Sequence, residues 1–222
     1  MPAVRRYAVT AGILAIAYVG FSMAVAGGLL HRFDLEVASS FATIYHPALL
    51  PVFQLVALFG GIEVTGLLGL GLFIYLWRQG YRLGALAAAA LPLSSVVELV
   101  YKHTINHPAP PSTVSHPDGP SISSLLERAG ALQWSFPSGH VTRSMVIYGL
   151  LAFVIIRLAG RPAVRRLALP LAVLLVVVEA VDRLYLEVHW ESDVIGGLLL
   201  GATFLAASIS WLEWSEARSS AV

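Results

Sequence analysis

Phe136-Pro137-Ser138-Gly139-His140 runs straight into an apolar segment that lasts to about Leu158. Asp182-Arg183, then His189 and Asp193, stand between the end of one apolar run and the start of another. Polar chemistry therefore collects at the ends of long apolar segments, and that placement decides the fold class. A 222-residue chain that is 57% apolar and 12% charged, with a mean hydropathy of +0.77, is too apolar for an ordinary soluble domain. The expected fold is all-α: a single integral membrane bundle over residues 1–222, with six transmembrane helices and a short interfacial helix or helices on the outer face.

Working outward from those segments, the spans are expected at about Tyr7 to Leu30, Leu49 to Trp77, Leu83 to Tyr101, the Ser138 region to Leu158, Leu167 to Leu186, and Ser192 to Trp211. Ala24-Val25-Ala26 resembles a leader cleavage site, but the first run is longer than a signal core, so a retained span is the better reading. His31 to His46 is short and weakly amphipathic and should lie along the interface. Residues 103–136 hold five of the twelve prolines and form the long polar outer loop. Within it Ile122 to Ala131 is expected to make a second interfacial helix, with Trp134 as an anchor. Gly60, Gly61, Gly66 and Gly69, and the Gly197/Gly201 pair, are expected to let neighbouring helices approach closely.

With the amino terminus inside, the inner segments hold Arg5, Arg6, Arg78, Arg82, Arg157, Arg161, Arg165, Arg166 and Arg218. The outer ones hold Arg32, Lys102, Arg128, Arg143 and Arg183. The positive-inside rule then puts both termini in the cytoplasm and all the polar segments on the outer face.

On that face the fourth and sixth helices begin, and a helix start presents free N–H groups and a positive dipole end that suit an anion. Pro137 fits a first-turn position, and Ser138 and Gly139 offer a hydroxyl and an approachable amide. His189 and Asp193 are four apart, so a helix starting near Trp190 stacks them one above the other. A carboxylate accepting from one ring nitrogen fixes the tautomer and leaves a lone pair on the other, as a nucleophile needs. Arg183 supplies a planar fork for phosphoryl oxygens, and Lys102 a point charge.

The two segments resemble the second and third signature motifs of the type 2 phosphatidic acid phosphatase superfamily, which read PSGH and SR-x5-H-x3-D. Lys102 with Pro110 resembles the first, K-x6-RP. The family's arginine falls at Ala109 here and its serine at Asp182. The resemblance implies that His189 is phosphorylated, Asp193 holds it, and His140 acts first as acid and then as base. Lys102, Ser138, Gly139 and Arg183 would bind the phosphoryl group. Arg143 and His107 are the residues available to stand in for the missing arginine. The implied substrate is a membrane lipid phosphate, hydrolysed on the outer face of an inner or plasma membrane. A polyprenyl phosphate or diphosphate of the undecaprenyl type comes first; phosphatidic acid, phosphatidylglycerol phosphate and a phosphotransferase on the same scaffold are alternatives.

The other polar residues have plainer readings. Glu98 is expected to pair with Lys102, and Glu179 with Arg183, each four residues apart, while Glu63 has no evident partner. His103, His107 and His116, with Asp118, lack a recognised ligand spacing, so no metal or other cofactor is expected. No basic cluster is large enough for nucleic acid. A transporter reading through Glu63, Glu98, Glu179 and Asp182 is weaker, because the polar residues gather at the outer ends. Oligomeric state is not legible.

Overall fold

A computed structural model describes residues 2–111, 114–116, 119, 122 and 134–219. The elements in chain order are α1 (Pro2–Ala26), α2 (His31–Ile44), α3 (Leu50–Gly60), α4 (Ile62–Arg78), α5 (Arg82–Ala85), α6 (Ala90–Thr104), α7 (Gly139–Leu158), α8 (Pro162–Tyr185) and α9 (Glu191–Ser219). Short 3-10 turns at Pro47–Leu49 and Leu86–Ala89 lead into α3 and α6. No strand occurs among the described residues. The all-α expectation is met, and α2 forms where the interfacial segment was expected. The second interfacial helix, Ile122 to Ala131, lies outside the described residues apart from Ile122, as do Asp118 and Arg128.

Among the described residues, five stretches are long and apolar enough to cross a membrane: Pro2–Ala26, Pro47–Arg78, Arg82–Thr104, Gly139–Leu158 and Glu191–Arg218. The expected fifth span falls on α8, whose 24 residues include Arg165, Arg166, Glu179, Asp182 and Arg183. Its outward face is nonetheless apolar, with Leu167, Leu169, Leu171, Val173 and Leu174 exposed, while Glu179, Asp182 and Arg183 point inward and are buried.

The expected second span is two helices, α3 and α4. Gly61 takes an extended conformation between them (φ −63°, ψ 158°). The break coincides with a close approach: a Cβ on Gly60 would lie 2.4 Å from Oε1 of Glu179 on α8. At this seam the backbone carbonyl of Gly60 is left to accept from Arg143 of α7.

The core is built round α7, where every residue from Ser135 through Ser144 is buried. One apolar cluster joins Val146, Ile147 and Leu150 of α7 to Leu72 and Leu76 of α4, Leu91 of α6, Ala172 and Val176 of α8 and Leu212 of α9. A second gathers Tyr18 and Val25 of α1, Ile105, Phe136 and Leu200. The Gly197/Gly201 pair seats α9 against α7: added Cβ atoms would meet Ser138 O at 2.7 Å and Met145 Cβ at 2.6 Å. Only small residues allow backbones that close.

Candidate active site

The start of α7 is where three elements meet. Pro137 precedes the helix, contrary to the first-turn expectation; Ser138 is the N-cap (φ −68°, ψ 113°) and Gly139 the first helical residue. The backbone N–H of Ser138 donates to the carbonyl of Asp193 at 2.9 Å, tying the start of α7 to the start of α9. Lys102, buried at the end of α6, donates to the carbonyl of Ser135 at 3.0 Å. All three polar segments thus converge at one end of the bundle, although they are far apart along the chain.

His189 and Asp193 stack as the spacing predicts, because α9 begins at Glu191. Nδ1 of His189 lies 3.1 Å from Oδ2 of Asp193. The same Oδ2 accepts the backbone N–H of Trp190 at 2.9 Å, one of the otherwise unpaired donors of a helix start. An ionised carboxylate only accepts, so Nδ1 of His189 carries the proton and Nε2 keeps its lone pair.

His140 sits on the first turn of α7, buried, with Arg183, Arg143, His189 and Lys102 all near enough to act on its ring electrostatically. Nη2 of Arg143 is 3.5 Å from its Nδ1, a long contact. A guanidinium can only donate, so this contact favours a lone pair on Nδ1 and a proton on Nε2 of His140. The two rings therefore stand in opposite states at Nε2, with a lone pair on His189 and a proton on His140.

Arg183 is fully enclosed. Its Nε donates to Oδ2 of Asp182 at 2.8 Å, its Nη2 also bonds that carboxylate, and Oε1 of Glu179 is 3.6 Å from Nε. The Glu179–Arg183 pairing is as expected. Glu98 corrects the expectation: it pairs with Arg143 (3.2 Å) and leaves Lys102 to the Ser135 carbonyl. The reason is that Gly139 lets the Glu98 carboxylate lie against the α7 backbone. A Cβ at 139 would meet Oε1 at 2.0 Å. Arg143 is held by Glu98 and the Gly60 carbonyl (3.1 Å), so it braces His140 and α3. The Ser138 hydroxyl is buried and has no hydrogen-bond partner among the described residues.

Sequence reasoning missed Asp34, and offered His107 only as a stand-in for the family's arginine. Asp34 of α2 is buried and takes the backbone N–H and the hydroxyl of Ser192, each at 2.9 Å. Burial raises its carboxyl from the ordinary value and the nearby Asp193 carboxylate adds to this, while the Ser192 hydrogen bonds and His107 oppose the rise. His107 brings Nε2 to 3.2 Å from the Ser192 hydroxyl and 3.4 Å from Oδ1 of Asp193. An acid on an amphipathic helix carries no signal that singles it out, and nothing in the loop sequence points His107 at Asp193 and Ser192. Of the other two, His103 bonds back to the Leu99 carbonyl (2.8 Å). His116 stacks on Tyr45 (4.0 Å between centroids), and its backbone N–H meets the Leu186 carbonyl at 2.7 Å.

A cavity of about 280 Å³ opens beside His189, walled by Leu35, Ala38 and Phe41 of α2 and by Pro110. An apolar groove of about 520 Å³ lies between α4 and residues 86–95 and is also lined by Arg143.

The model of the PAP2 superfamily matches residues 81–217, more than half of the chain and all three polar segments. Phosphatidylglycerophosphatase B of Bacillus subtilis (strain 168) is 32% identical over 69 residues, which are 31% of this chain and 34% of that protein. The aligned stretch thus spans about a third of the curated relative. The crystal structure of the first transmembrane PAP2 type phosphatidylglycerolphosphate phosphatase from Bacillus subtilis has the same fold. It superposes with a TM-score of 0.70 at 19% identity over 96% of each chain. With the family match covering the helices that assemble the site, the chain belongs to the PAP2 superfamily.

Proposed function

We propose that this chain is a multi-pass membrane phosphatase of lipid phosphates, working through a phosphohistidine and without a metal. The observation that carries the reading is the His189–Asp193 pair at 3.1 Å with His140, Arg183 and Lys102 in electrostatic reach. In the first half, Nε2 of His189 attacks phosphorus while the bond to the lipid oxygen breaks. His140, carried to the imidazolium by the bound phosphate dianion, gives its Nε2 proton to that oxygen and returns to the neutral ring, and the lipid alcohol leaves. In the second half, His140 takes a proton from water, the water oxygen attacks phosphorus, and the N–P bond breaks to release phosphate. Arg183, Lys102, the Ser138 hydroxyl and the amides at the start of α7 stabilise the phosphoryl oxygens.

A lipid substrate is supported by the apolar groove between α4 and residues 86–95, whose lining includes Arg143. For the headgroup, the support lies with phosphatidylglycerol phosphate, with phosphatidic acid next. Both named relatives are phosphatidylglycerol phosphate phosphatases, and the polyprenyl reading has no comparable support. We extend the topology to six spans, counting α8, because its charges face the site and its apolar residues face outward. The arginine and lysine distribution supports both termini in the cytoplasm and the site on the outer face.

The test is phosphate release by the purified protein in detergent micelles, with chelator, across phosphatidylglycerol phosphate, phosphatidic acid and undecaprenyl phosphate and diphosphate. The expected result is turnover of the glycerophospholipid phosphates that survives chelation and disappears in His189→Ala. A strict metal requirement, or activity that persists in His189→Ala, would overturn the mechanism.

A further inference from the structure

The reaction as written uses neither Asp34 nor His107, yet both are built into the support of His189. Asp34 reaches from α2 to the first turn of α9, where its two oxygens take the backbone N–H and the hydroxyl of Ser192, each at 2.9 Å. With its hydrogen committed to Asp34, the Ser192 oxygen can only accept from a ring 3.2 Å away, so Nε2 of His107 carries a proton. The Nε2 nitrogen also lies 3.4 Å from Oδ1 of Asp193, an electrostatic contact rather than a hydrogen bond. Oδ2 of Asp193 already serves His189 and Trp190, whereas Oδ1 is buried with no hydrogen-bond partner among the described residues.

The geometry points to Asp34 and His107 as positioning residues that lock the Asp193 carboxylate, and through it the tautomer and aim of the His189 ring. This inference rests on the phosphatase reading above. A carboxylate held at one oxygen alone can swing; the positive N–H edge of His107 facing the other oxygen resists that swing. Asp34 in turn stops His107 from swinging away, by fixing the hydroxyl that His107 also touches. The ring of His107 points its Nε2 at two carboxylates and a hydroxyl, so it is not the phosphate-binding cation that the sequence left open for it.

The experiment compares the full chain with His107→Ala, His107→Gln and Asp34→Asn in detergent micelles. It measures kcat and KM on phosphatidylglycerol phosphate and, separately, the side-chain ¹⁵N shifts of His189, which report its tautomer. His107→Ala is expected to lower kcat by about tenfold to a hundredfold, the usual loss for a partner that orients a functional imidazole. KM stays within about twofold, since His107 does not bind substrate. His107→Gln, whose amide can still donate, recovers most of the rate, and Asp34→Asn falls between. In the parent, His189 shows the Nδ1–H form, and in His107→Ala a mixture.

An unchanged kcat in His107→Ala with the His189 tautomer retained overturns the inference, and so does an effect confined to KM. The tautomer measurement needs no turnover. A parent that releases no phosphate would therefore sink the phosphatase reading and leave this one decided on its own. If His107→Ala does not fold, His107→Asn, too short to place a donor at Nε2, takes its place.

Discussion

Asp193→Asn probes the site with least disturbance to its shape. Oδ2 of Asp193 accepts from the His189 ring at 3.1 Å and from the Trp190 backbone at 2.9 Å, and Oδ1 faces the His107 N–H at 3.4 Å. The amide has one oxygen for two hydrogen-bond donors and the facing His107 N–H. If that oxygen takes the Oδ2 position, His189 keeps its tautomer but loses the negative charge beneath it, and the amide hydrogens meet the His107 donor head on. If the oxygen faces His107, the amide nitrogen donates to Nδ1 of His189, which moves the ring proton to Nε2 and removes the nucleophilic lone pair. The first case forfeits a hydrogen bond to a charged group, about 1.5–3 kcal/mol, or about tenfold to a hundredfold in rate. The second resembles the loss of any carboxylate that sets an imidazole tautomer, up to about 10⁴-fold. Rapid-quench measurement of phosphoenzyme formation, with thermal unfolding as a control, reads the effect. An Asp193→Asn protein that forms phosphoenzyme within about twofold of the parental rate would refute the reasoning.

Other expectations follow from the same contacts. His189→Ala should lose turnover and trappable phosphoenzyme together; His140→Ala should still accept phosphate slowly from a p-nitrophenyl ester, whose leaving group needs no proton, as acid quenching would show. Gly139→Ala should drive Glu98 from Arg143, because the new Cβ would lie 2.0 Å from Oε1, and disrupting a buried pair costs about 3–5 kcal/mol; thermal unfolding and kcat should fall together, and the parental melting temperature would refute the packing argument. Ala109→Arg should lower KM by up to about fivefold, since Arg143 is committed to Glu98 and His107 to Ser192; an unchanged KM would mean another cation fills that role. The raised carboxyl of Asp34 binds its proton more tightly in the folded than in the unfolded chain. Its effect on stability is therefore unfavourable once pH rises above the ordinary value of 3.8, and reaches its full size above the folded value. Asp34→Asn should flatten that part of the melting temperature against pH, and an unaltered profile would argue that Asp34 titrates normally.

What the sequence settled by itself is the part governed by short-range periodicity. Runs of about twenty apolar residues have to be helical, so the helices and most of their ends could be read from hydropathy. The four-residue step from His189 to Asp193 places both on one face of any helix starting near Trp190, whatever surrounds it. The Glu179–Arg183 pairing was legible for the same reason, and Gly197 and Gly201 announced a close helix contact. Tertiary packing decided the rest. Glu98 could reach Lys102 on its own helix, but Gly139 brings a neighbouring backbone close enough for Arg143 to take it instead. The break between α3 and α4 answers to a glutamate on another helix. Asp34 and His107 lie 158 and 85 residues from the serine they share, and no local pattern specifies a contact across such distances. A buried charge must find its partner wherever the fold brings one, and only the assembled bundle shows which one that is.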